Sequence, residues 1–210
     1  ETIILDLSEV PLLLKLMSVC PLADLEFEEG LKDLRSHLLL SVSQLKASSG
    51  ILRFQSALAL QCFTNEYVYN QSDRETKALK ALEASVKKTL SDGEQPSPQA
   101  ILCLTSYKAL HEYEWSEMLK DTNAIGEVFN RQVREPQKEA LLKTGIPVLE
   151  EITNEVSSKV REQYEVNPYP RWVNLGLDLK PFPISKVVDE VKLKLFDYTI
   201  NEVTTPNILI

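Results

Sequence analysis

The sequence predicts an all-α protein, an irregular multi-helix bundle, followed by a Pro-rich extended linker, one more helix and a strand that opens at the very end. Three observations predict it. Glycine is scarce, six in 210 residues against about 7% in an ordinary chain, and a doubly wound α/β enzyme needs more glycine-rich turns than that. Apolar residues recur at three- and four-residue steps through most of the chain, the period of an amphipathic helix. Pro168, Pro170, Pro181 and Pro183 then crowd one short stretch, which precludes a long helix and favours extended backbone. The apolar share of 43% is enough for a core, and the net charge of −8 disfavours a nucleic-acid phosphate backbone as partner.

The elements follow in order. Pro11 to Val19 is a short apolar helix with Ser8 ahead of it and Pro21 behind. Phe27, Leu31, Leu34, Leu38, Val42 and Leu45 form one stripe of a helix from about Asp24 to Lys46. A Ser48-Ser49-Gly50 turn precedes a helix from Ile51 to about Tyr69 that is apolar almost all round, the pattern of a bundle centre. Ser72 and Glu75 have the spacing of a capping box, and the helix behind them carries Leu79, Leu82, Val86 and Leu90 and stops at Asp92-Gly93. Ser97-Pro98 has the cap and first-position residues of another helix. Ile125, Val128, Phe129 and Val133 indicate a short helix, and Pro136 to Lys143 a second that ends at Gly145. Thr153 is placed to cap a helix bearing Val156, Val160 and Tyr164. A last helix spans about Ser185 to Tyr198, and Asn207 to Ile210 opens a buried strand that the chain leaves without a partner.

Few residues offer chemistry. Cys20, Cys62 and Cys103 are odd in number, widely spaced and set among apolar neighbours, so they read as buried thiols. His37 borders an apolar stripe. His111-Glu112 begins like a zinc-protease motif, but position 115 is Trp115, so no metal site is expected. No Walker loop, Gly-x-Gly-x-x-Gly or Gly-x-Ser-x-Gly occurs. No apolar run approaches the ~18 residues of a membrane span, and the thiols suit a reducing cytoplasm. Two polar clusters remain: Gln61, Asn65 and Glu66 in the central helix, and Arg131, Gln132, Arg134 and Glu135. They either join two helices or line a ligand pocket. Glu66, on a helix apolar all round, is expected to be partly buried and paired with Arg134 or Arg131.

One run is distinctive: Val160-Arg161-Glu162-Gln163-Tyr164-Glu165-Val166-Asn167-Pro168-Tyr169-Pro170-Arg171-Trp172. It resembles the Gln-Tyr-Glu-Glu-Asn-Pro-Tyr-Pro-Arg-Trp signature of bacterial proteins that fuse tetratricopeptide repeats to a class I S-adenosylmethionine-dependent methyltransferase. Gln61 to Val68 and Arg131 to Pro136 are similar to the same family, and Val166 departs from it where an acid is usual. The resemblance implies a helical accessory domain over 1–164 and a linker over 165–184 with the Asn-Pro-Tyr-Pro motif. It implies that 185–210 begins the methyltransferase, Asn207 to Ile210 being the truncated first strand of that α/β domain. The glycine-rich cofactor loop would follow. The chain would then be a non-catalytic, substrate- or partner-positioning region whose partner is its own C-terminal domain, with S-adenosylmethionine bound by the longer protein and not by this part. Tyr164, Asn167, Tyr169, Arg171 and Trp172 would line the cofactor pocket there. A helical interaction scaffold with a protein partner or a second copy is the alternative.

Overall fold

In a computed structural model, residues 2–147, 152–166 and 183–190 are described, together with 192, 194 and 199. The Asn-Pro-Tyr-Pro segment and the strand expected at Asn207 to Ile210 lie outside them. The described residues are mostly helical and contain no strand. The chain divides into two units, Glu1–Val173 and Asn174–Ile210.

The first unit opens with a helix that the periodicity did not reveal, α1 (Thr2–Ser8). It has only two turns, and Ile4 and Ser8, four residues apart, make its buried face. The next helix, α2, spans Pro11–Val19 as expected, with proline in its first turn. Ser8 does not cap it; its hydroxyl donates to Leu5 O at 2.7 Å within α1. Asp24 caps α3 (Leu25–Leu40), its Oδ1 accepting from Phe27 N at 3.0 Å. This helix stops six residues short of the expected Lys46: Ser41 turns its hydroxyl onto His37 O at 2.6 Å, and the chain continues in turns that still tuck Val42 and Leu45 against the core.

The central helix, α4 (Ser49–Thr64), is capped by Ser48, whose hydroxyl accepts from Ile51 N at 3.3 Å. It is buried nearly throughout, including Ile51, Phe54, Leu58, Leu60 and Cys62. One side joins Ile4, Met17, Leu31 and Leu38 in one apolar cluster. The other meets Val86, Leu90, Ile101, Leu104, Trp115 and Val128 in a second. Each fully buried leucine or phenylalanine contributes roughly 1.5–3 kcal/mol, so α4 supplies much of the stability. Around it stand α5 (Asp73–Ser91) and α6 (Pro98–Thr105), followed by two single 3-10 turns at Leu110–Glu112 and Ser116–Met118. The Ser72/Glu75 capping box forms, and α5 ends at Asp92, followed by Gly93 at a left-handed φ of 80°.

The helix expected to reach Tyr69 ends at Thr64. Asn65, Glu66 and Tyr67 form a turn, and Glu66 and Tyr67 hold left-handed φ values of 58° and 55°. Glu66 is therefore not a helical, partly buried carboxylate: it projects from the corner and is exposed. The left-handed region costs a side-chain-bearing residue about 1–2 kcal/mol, so Glu66→Gly should be neutral or stabilising by up to about 1 kcal/mol. Urea unfolding checks this, and a loss of about 3 kcal/mol, as for a broken buried ion pair, would restore the sequence-based expectation.

The chain continues through α7 (Gly126–Phe129) and a π-helical turn (Asn130–Arg134) into α8 (Glu135–Lys143). Then comes α9 (Glu155–Val166). Its cap is Asn154 rather than Thr153, the Oδ1 accepting from Ser157 N at 3.0 Å. In the second unit the described helix is α10 (Ile184–Glu190), with Val188 buried.

Candidate functional site

The sequence-derived polar residues part company in the structure. Gln61 is buried near the C-terminus of α4, its carboxamide set among Met17 O, Cys20 O and Leu22 N; the amide orientation assigned from these neighbours puts the nitrogen 3.0 Å from both carbonyls and the oxygen 3.0 Å from the Leu22 N–H. Arg131 donates to Ser18 O at 3.0 Å and pairs with Glu135 at 3.3 Å. Gln61 and Arg131 therefore converge on the last carbonyls of α2, groups that a helix leaves without intrahelical partners. Arg134 turns the other way, to Asp121 at 2.9 Å and over the Phe129 ring. Asn65 is half-buried, beside Tyr69. Tyr164 is exposed on α9, and Asn167, Tyr169, Arg171 and Trp172 lie outside the described residues.

The π turn explains how neighbours in sequence serve different elements. Val128 and Val133 are both buried though five residues apart, a spacing that an α-helix would set about 140° apart and that i→i+5 bonding brings to one face. Gln132, fully buried between them, accepts from Leu110 N at 2.9 Å and donates to Ala59 O at 3.3 Å and Thr105 O at 3.4 Å. It completes the end of α6 and the start of the next turn, and His111 Nδ1 lies 2.8 Å from its carbonyl. Gln132→Leu leaves the Leu110 N–H without its acceptor and should cost about 1–3 kcal/mol in chemical denaturation, with helix content retained in the native baseline.

Sequence reasoning missed the central polar feature, Arg35. It lies on α3 between Leu31 and Leu38, on the same face, and is 2% exposed. That spacing, a cation within an apolar stripe, was the available signal. Its Nη2 donates to Tyr69 O at 3.2 Å and Asn70 O at 2.9 Å, tying down the strained α4–α5 corner. The guanidinium stacks 4.0 Å over the Tyr107 ring, whose hydroxyl donates to Glu75 Oε1 at 2.6 Å. Arg35 and Glu75 approach to 4.0 Å. Glu75 Oε2 also accepts from Ser72 N at 2.8 Å and Ser72 Oγ at 2.7 Å, so the capping carboxylate is also the counter-ion of a buried arginine.

These contacts set the protonation states. Desolvation raises the Glu75 pKa, but hydrogen bonds from the Ser72 backbone, Tyr107 and the Ser72 hydroxyl, with Arg35, outweigh it and hold the carboxyl below its ordinary 4.5. Burial pushes the Cys62 thiol to about 12 against the opposing pull of Arg35, and the Cys103 thiol to about 12. Neither thiol supplies a thiolate near neutral pH, and all three cysteines are free. Trp115, standing where a zinc motif needs histidine, is a core residue 4.7 Å from Tyr113. The network holds charge in place rather than presenting it to a substrate.

A different surface is available for contact. α8 buries none of its residues, and Leu141 and Leu142 are exposed. On α9, Val156, Val160 and Tyr164, four residues apart, are exposed as well. Lys143 and Glu165 join the two helices at 2.8 Å. In sequence the exposed apolar residues of α9 lead directly into the Asn-Pro-Tyr-Pro segment. Among the described residues, no group of three His, Cys, Asp or Glu is placed to hold a metal ion, and no helix is long and apolar enough to cross a membrane. No known protein family, curated protein or solved structure matches the chain.

Glu75→Ala should destabilise by about 3–5 kcal/mol, the cost of stranding a buried partner charge, whereas Arg35→Met with Glu75→Leu should recover much of it. A pH series gives a second check. Because the folded pKa is lowered, the Glu75 contribution is present above the ordinary carboxylate range and is lost as pH falls through the folded value. Glu75→Gln should therefore flatten the loss of stability below about pH 4.5, seen in thermal melts.

Proposed function

We propose that this chain is a helical accessory region that positions a substrate or protein partner for an S-adenosylmethionine-dependent methyltransferase domain, and that it carries no catalysis itself. The observation that carries the reading is the exposed apolar surface of α8 and α9, which ends at Tyr164 and runs in sequence straight into Asn167-Pro168-Tyr169-Pro170-Arg171-Trp172. In the methyltransferase fusions that this run resembles, the segment precedes the cofactor domain. Two prolines stiffen it, and a stiff segment presents Tyr169, Arg171 and Trp172 at low entropic cost. Tyr164, Asn167, Tyr169, Arg171 and Trp172 would line the cofactor pocket of the longer protein, with the α8–α9 surface docked on the same domain. The setting is cytoplasmic.

A second reading, a helical scaffold for a protein partner or another copy of the chain, is favoured by the exposed Ile3, Leu12 and Leu16 of α1 and α2. The two readings separate in the longer protein. Tyr169→Ala and Arg171→Ala should each lower methyl transfer and cofactor affinity by about tenfold or more, the effect of removing one good contact; unchanged values would favour the scaffold. The 210-residue chain alone should give no heat with S-adenosylmethionine in calorimetry, and micromolar binding would overturn the division of labour.

A further inference from the structure

A groove of about 590 Å³ lies where α2, α4 and the approach to α7 meet, within the size range of small-molecule sites. α2 and α4 run side by side in the same direction. A Cβ on Gly50 would come within 2.7 Å of the Ser8 hydroxyl, which sets the start of α4 beside the chain that enters α2, and Gln61 reaches the Met17 and Cys20 carbonyls at the other end.

Helical spacing then sorts the lining. Pro11 and Leu14 line the α2 side, and on α4 Leu52 and Ala57, about 140° apart, flank the polar residues of the groove. Lys15 stands on the α2 wall, and Ser49, Arg53 and Ser56 share one face of α4. Lys15 forms no ion pair, and the Ser49 and Ser56 hydroxyls form no hydrogen bond, among the described residues. Arg53 meets Glu9 at 2.7 Å, but both side chains are more than half exposed, and such pairs are weak. Glu127 is the acid in the lining itself, and Glu9 stands beside it only through Arg53. Glu127 lies four residues before Arg131, which holds Ser18 O, so it belongs to the α2 C-terminal end. The opposite end offers Ser49 and Arg53, with Lys15 on the facing wall.

We propose that this groove binds a small amphiphile, an anionic head on a short apolar tail. The head, a carboxylate or a phosphate ester, sits between Lys15, Arg53 and Ser49, and the tail covers Leu14, Leu52 and Ala57. Oriented this way, the ligand keeps its charge away from Glu127 and removes its tail from water against these apolar side chains. The assignment is independent of the proposed methyltransferase role.

Calorimetry on the 210-residue chain tests it with octanoate, octyl phosphate and octyltrimethylammonium as probes. One or both anions should bind, the stronger identifying the head group, and the cation should not. Lys15→Glu should weaken anion binding by at least about tenfold, one well-placed charge contact. Ser56→Trp, which fills the groove without changing its charge, should abolish binding while circular dichroism stays unchanged. Failure of both anions to bind, equal binding of the cation, or unchanged affinity in Lys15→Glu would overturn the proposal.

Discussion

Burial of α4 along most of its length, apart from the face of Ser49, Arg53 and Ser56, is the constraint from which the rest of the structure follows. A helix packed so closely leaves the helix ends and corners around it in apolar surroundings, so neighbouring elements must bring the missing polar partners. Gln61 turns back to close α2. Gln132 arrives from the π turn to an α4 carbonyl and to the end of α6. Arg35 comes from α3 to the carbonyls of Tyr69 and Asn70, where the chain leaves α4 through two left-handed residues. The polar side chains of the core are thus distributed by where the helix ends and corners packed around α4 leave backbone groups in apolar surroundings.

Arg35 shows how such a debt propagates. A buried guanidinium is tolerable only if its charge and its donors are met. It therefore needs Glu75, and Glu75 is held in place by the N-terminal turn of α5 and by Tyr107 beyond α6. One cation couples two helices, the turn after α6 and a corner, so the capping box of α5 belongs to the tertiary structure as much as to the helix.

The elements legible in the sequence were those whose signals are local. Asp24, Ser48, Ser72 and Ser97 cap by one side chain reaching three residues ahead, and the all-round apolar pattern of α4 stated its burial. The misread features depend on partners distant in sequence. Asn65 to Val68 continue a helical-looking pattern, but the backbone closes there, Tyr67 N donating to Cys62 O at 2.8 Å and Glu66 N to Phe63 O at 3.3 Å, and Arg35, 34 residues away from Tyr69, holds the corner that results. Arg35 itself was hidden because a charge on an amphipathic helix is ordinarily a solvent-face residue, although Leu31 and Leu38 mark its position as inward. Of the polar cluster, Gln61 and Arg131 could be singled out by type, but their common target is a set of backbone carbonyls that no residue identity announces.

The π turn has a rotational effect on everything beyond it. In an uninterrupted α-helix Leu142, fourteen residues after Val128, would return to nearly the same azimuth, since four turns take about 14.4 residues. The wider turn makes Val133 the last inward residue of this stretch, and Leu142, nine positions further, falls about 180° from it. The outward display of Leu142 thus follows from phase as well as from position: it points away from the side that Val133 buries, on a helix that buries none of its own residues.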